Sequence, residues 1–65
     1  MEYTIASINR GVPRGPYLYS FMGKSTYTKP ALAEFGDMGT GSDLYDLDTQ
    51  QVFLYDRDND IWVPQ

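Results

Sequence analysis

Apolar and polar residues follow one another in short runs with a period of two, the spacing of strands rather than of helices. Tyr3-Thr4-Ile5-Ala6-Ser7-Ile8 opens the series, and its β-branched residues and rough alternation predict a strand within residues 1–9. Tyr17-Leu18-Tyr19-Ser20-Phe21-Met22 is the second. Alternation puts Tyr17, Tyr19 and Phe21 on one face and Leu18, Ser20 and Met22 on the other. Apolar character on both faces implies that both are covered, and in so short a chain another subunit is the natural second cover. The clearest pattern comes last. Residues 43–48, 52–56 and 61–63 read as a three-stranded meander, turned first near Thr49-Gln50 and then by Asp56-Arg57-Asp58-Asn59-Asp60. Asp and Asn suit such turns because their short side chains bond neighbouring backbone groups. On the middle strand Phe53 and Tyr55 share one face, and Val52 and Leu54 the other. Trp62 is expected beside Tyr55 or Phe53, so Phe53, Tyr55 and Trp62 are the predicted structural core. Pro64 ends the last strand.

Between these runs the chain is broken by glycine and proline. Arg10-Gly11-Val12-Pro13-Arg14-Gly15-Pro16 holds no regular element and reads as a turn or an extended arm. Arg10 and Arg14 make it a candidate contact arm, with a plain solvated loop as the competing reading. Pro30 excludes a central strand from residues 23–41. Ala31-Leu32-Ala33-Glu34-Phe35 has the makings of one helical turn, too short to stand without packing. Gly36, Gly39 and Gly41 around Asp37 and Thr40 mark a loop. No Gly-Lys-Ser/Thr follows them, and Asp37 and Asp43 would repel an anion, so a nucleotide loop is discounted. The expectation is one all-β domain over residues 1–65. It comprises a strand and contact arm (1–16), a strand and irregular loop (17–40) and the β-meander (41–65), arranged as a small antiparallel sheet with an extended N-terminal arm.

Size sharpens this picture. A chain of 65 residues buries only about 60% of the surface its unfolded form exposes. Small domains usually compensate with disulfides, a metal or a partner. There is no Cys and no His, which removes disulfides, thiolate sites and the commonest metal ligand and general base. A partner surface, from copies of the chain or from a larger assembly, is left as the support. Aromatic residues make up 15%, far above disordered chains, and the six Tyr suit both strands and interfaces. Tyr17, Tyr19 and Phe21, with Arg10 and Arg14, are candidate partner-binding residues.

The net charge of −4 argues against a nucleic-acid partner. Its distribution is uneven. Residues 1–33 carry Arg10, Arg14, Lys24 and Lys29 against Glu2, while residues 34–65 carry seven Asp and Glu34 against Arg57. Such a dipole fits head-to-tail contact between copies, or attraction between the two halves of one monomer. No segment reaches the length of a transmembrane span, and no signal peptide is visible, so synthesis and retention in the cytoplasm up to any assembly step are expected.

Candidate chemistry is thin. Asp56, Asp58 and Asp60 imitate the start of a calcium loop, but such a loop needs Gly at its sixth position, where Ile61 stands. Solvated turn residues explain the run with fewer assumptions. Asp46 and Asp48 lie at i and i+2 on one expected strand, whereas a glycosidase pair must flank a substrate. No nucleophile has an evident activating neighbour. Neither an enzyme nor a cofactor is expected.

From Phe21 onward the order Gly23-Lys24-Ser25-Thr26, Thr28-Lys29-Pro30, Gly41-Ser42, Asp48-Thr49, Val52, Tyr55-Asp56 and Trp62-Val63 resembles a family of small phage and prophage virion-associated proteins. The same order is similar to short β modules of head-fibre, capsid-decoration and tail-fibre chains. The resemblance spans about two-thirds of the chain, and its specificity lies in order and spacing rather than in any one dipeptide. Two departures stand out: the turn after Asp48-Thr49 is often Gly-containing in the family but is Gln50-Gln51 here, and the usually short linker before Gly-Ser is the longer, Gly-rich residues 31–40, where the comparison with the family implies a special contact and makes Phe35 a further candidate partner-binding residue. The resemblance implies a virion structural protein, made in the host cytoplasm, that decorates a capsid or forms part of a head fibre or minor capsid structure. Its partners would be a capsid or fibre protein and other copies of itself. Two alternatives stay open: a host-surface or carbohydrate-binding module, and an acidic inhibitor of a host nucleic-acid enzyme.

Overall fold

The computed structural model describes residues 2–10 and 16–65, Arg10 through its backbone. Five strands, β1 (Thr4–Arg10), β2 (Tyr17–Gly23), β3 (Asp43–Asp46), β4 (Gln51–Asp56) and β5 (Ile61–Pro64), form one sheet in chain order. The fold is all-β, and its C-terminal half is the meander that the alternation implied. The sheet is mixed rather than wholly antiparallel, because β2 and β3 run parallel, with Ser20 opposite Asp43 and Gly23 opposite Asp46. Parallel neighbours cannot be joined by a hairpin and need a crossover. Residues 24–42, the irregular stretch of the sequence, are that crossover. β1 takes up the start of the expected arm and ends with Arg10 opposite Tyr17. The arm from Gly11 to Gly15, Arg14 included, lies outside the described residues.

The crossover lies over one face of the sheet and closes the core against it. Tyr19 and Phe21 from β2, Leu44 from β3 and Tyr55 from β4 are buried with Tyr3 and with Met38 of the crossover. Each fully buried large apolar side chain contributes roughly 1.5–3 kcal/mol of transfer free energy. Within the crossover, the amides of Glu34 and Phe35 both donate to the Ala31 carbonyl, making the single helical turn expected there. That turn sets Phe35 edge-on to Tyr19 at 5.2 Å and to Phe21 at 5.5 Å. Trp62 packs against Tyr55 at 4.8 Å between ring centres and donates its indole N–H to the Pro30 carbonyl at 2.8 Å. Phe53 and Trp62 are half-buried around the Tyr55 centre.

Local chemistry decides where the strands stop. β3 ends at Asp46, two residues short of the expected end. The Leu47 amide is taken by the Gly23 carbonyl, and the Asp48 carboxylate turns away to Ser25, accepting its amide at 2.9 Å and its hydroxyl at 2.6 Å. Residues 47–50 and 57–60 then form hairpin loops of equal length. Each closes with a residue at positive φ, Gln50 at 55° and Asp60 at 53°. Gly23 is a place where only glycine fits: a Cβ there would stand 2.4 Å from the Tyr3 ring.

Candidate docking surface

The two faces of the sheet are built differently, and the polar groups follow the difference. On the covered face, the hydroxyls of three buried tyrosines each donate to an aspartate. Tyr3 reaches Asp46 at 2.6 Å, Tyr19 reaches Asp37 at 2.8 Å, and Tyr55 reaches Asp60. Burial, and then the neighbouring carboxylate, disfavours the tyrosinate. The hydroxyls of Tyr19 and Tyr55 are pushed up to about 12, and that of Tyr3 is raised further. Asp46 is itself buried, with Lys29 Nζ 3.9 Å away, and that ammonium sits over the Phe53 ring at 4.6 Å. Arg57 bonds inward to the carbonyls of Gly36 and Met38, holding the crossover to the second hairpin. No buried side-chain polar atom lacks a partner among the described residues.

These bonds change the meaning of the acidic half. Asp37, Asp46 and Asp60 serve tyrosine hydroxyls. Asp48 is bound to Ser25, whose hydroxyl and amide hold its carboxyl below the usual range. Asp56 accepts the Asp58 amide and the Asn59 side chain within its own turn. Five of the seven aspartates, Asp37, Asp46, Asp48, Asp56 and Asp60, therefore serve as acceptors inside the fold. Asp46 is buried and Asp48 exposed, and no cluster of metal-ligating side chains occurs among the described residues.

The opposite face has no crossover over it. Strand alternation and register bring Leu18, Met22, Tyr45, Val52, Leu54, Ile61 and Val63 onto it. Met22, Val52, Leu54, Ile61 and Val63 are each 39–50% exposed. Pairing makes them contiguous, since Tyr45 stands opposite Val52 and Leu54 stands opposite Val63. On the β1 side the face turns polar through Thr4, Ser7 and Asn9. Met22 also borders a cleft of about 290 Å³ with Tyr27 and Leu47, flanked by Glu2 and Lys24. Such exposed apolar residues grouped on one face make it the candidate contact surface.

The residues that sequence reading assigned to a partner lie elsewhere. Tyr19 and Phe21 are at the centre of the chain's own core, covered by the crossover. Phe35 is half-buried in the crossover against them, and Tyr17 is half-buried at the edge of the same cluster. Arg10 ends β1, and Arg14 falls outside the described residues. The open face does use Leu18, Met22, Val52 and Leu54, which alternation had already set apart. Asp43, Tyr45, Ile61 and Val63 complete it and went unmarked, although the same alternation runs through Asp43-Leu44-Tyr45-Asp46 and Ile61-Trp62-Val63. Comparison with known proteins finds no matching family model, no matching curated protein and no matching solved structure.

Proposed function

We propose that this chain is a non-catalytic structural component of a phage virion that docks on a larger capsid or fibre subunit through the open face of its sheet. The observation that carries the docking is the asymmetry of the sheet: the crossover closes one face over Tyr19, Phe21, Leu44 and Tyr55, leaving Ile5 and Ile8 of β1 exposed at its edge, whereas Met22, Val52, Leu54, Ile61 and Val63 of the other face all stay exposed among the described residues. The virion setting comes from the resemblance of residues 21–63 to small virion-associated modules. A chain with one covered face needs external burial, and a decorated capsid supplies it in many copies. The virion would be the final location, with synthesis in the host cytoplasm.

The geometry favours this reading over the alternatives. Glycan contact calls for exposed aromatic rings, but here Tyr3, Tyr19, Phe21 and Tyr55 are buried, and the open face offers only the half-buried Tyr45. Imitation of a phosphate backbone calls for carboxylates in a free row, but here Asp37, Asp46, Asp48, Asp56 and Asp60 are engaged with tyrosines, serine and turn amides. Mass spectrometry of purified particles from cells carrying the gene tests the proposal. The chain is expected at a fixed ratio to the major capsid or fibre protein. Its absence from washed particles would exclude the virion role.

A further inference from the structure

We infer that the open face binds a larger protein through an apolar patch on that protein that presents a lysine or arginine to Asp43. The inference rests on the docking reading above and adds the chemistry of the partner. Register places Asp43 inside the patch rather than at its rim, beside Ser20 on β2 and opposite Leu54 on β4. It is exposed, and among the described residues its carboxylate has no ion pair. The described strand positions that share this face contribute no Lys or Arg. Covering Leu54, Tyr45 and Val63 removes water from Asp43 as well. A dehydrated carboxylate is tolerated only with a charged, hydrogen-bonding partner, so the covering surface has to bring the cation.

A second copy fits this face poorly. Copies meeting across a two-fold axis present the same patch to each other, which drives two unpaired Asp43 carboxylates into one dry layer. The area is also short. Five strands about 4.8 Å apart and about 17 Å long give a face of roughly 400 Å². Two such faces fall below the roughly 1,200 Å² of a stable specific interface. A larger partner extends the contact past the rim and carries its own cation.

The test uses a photo-crosslinking residue at Leu54 or Val63 in the full chain, with Ala33, exposed on the crossover, as the control position. Crosslinking is done in cells that also produce the native phage or prophage particle. Leu54 and Val63 are expected to yield one adduct with a larger protein, and the crosslinked segment should be apolar and contain Lys or Arg. Asp43→Lys should lower the adduct at least about tenfold and Asp43→Asn less, with unchanged thermal melts showing that the fold is kept. Adducts only between copies of the chain, no adduct, equal adducts from Ala33, or a yield indifferent to Asp43→Lys would each overturn the inference. The two readings fail separately. A mapped partner of this chemistry that is not a particle protein removes the virion role and leaves the inference. A chain present in particles that crosslinks only to itself does the reverse.

Discussion

The Tyr3 ring packs on Gly23, and that contact, with the bond to Asp46, ties the start of β1 to the ends of β2 and β3. The ring occupies the space where a Cβ would go, so Gly23→Ala should displace Tyr3 and its bond to Asp46. The expected loss is about 1–3 kcal/mol, read from chemical denaturation. In a domain whose core supplies roughly 3–5 kcal/mol, that is most of its stability. The tyrosine–aspartate pairs also set a response to alkali. An unfolded tyrosine titrates near 10, while Tyr19 and Tyr55 in the fold titrate near 12. The folded state therefore holds protons that the unfolded state has released. This stabilisation is complete below pH ~10 and is lost as pH rises from about 10 to about 12. Denaturation midpoints measured across that range should fall steadily, and Tyr55→Phe should make the fall shallower. An unchanged slope in Tyr55→Phe would show that the Tyr55 hydroxyl titrates as it does in the unfolded chain. None of these pairings could be read from the chain, because Tyr3 and Asp46 are 43 positions apart and an aspartate-rich half looks the same whether its carboxylates face water or tyrosine.

At the scale of elements, alternation located β2, β3 and β4 because each turns one face into the core, with Tyr19 and Phe21, Leu44 and Tyr55, and a slip by one residue would expose it. It also divided Val52 and Leu54 from Phe53 and Tyr55 correctly. It could not say which face the crossover would take, since β2 is apolar on both. That is why Tyr19 and Phe21 looked like interface residues and are core. The parallel β2–β3 pair was hidden for a related reason: its connection carries one helical turn instead of the amphipathic helix that usually announces a crossover. The two hairpin loops give a matched test. Gln50 and Asp60 both hold positive φ, where a side chain costs about 1 kcal/mol. Gln50→Gly should raise stability by roughly 0.5 kcal/mol or more, because no bond of the Gln50 side chain supports the turn. Asp60→Gly should instead destabilise, because it removes the acceptor of the Tyr55 hydroxyl and of the Leu32 amide. Thermal melts of the two variants should move in opposite directions.

For the whole molecule, the division of labour is between a covered face and an open one. The covered face explains how so short a chain without cysteine folds: crossover, tyrosine–aspartate bonds and aromatic contacts build its core. The open face is the surface through which docking is proposed. Length and the second apolar face of β2 pointed to external burial and to Tyr17, Tyr19 and Phe21 as its residues, and Tyr19 and Phe21 lie in the chain's own core. Free in solution the chain should remain a monomer across a dilution series by light scattering, because self-docking would bury Asp43 against its own copy. The most direct test of the docking account is the amount of Leu54→Asp chain on purified particles, set beside wild type and Glu34→Lys, an exposed change on the crossover. Docking through the open face predicts less than about a tenth of wild-type occupancy for Leu54→Asp, with its melting temperature kept and Glu34→Lys unaffected. Wild-type occupancy of a folded Leu54→Asp chain would contradict it.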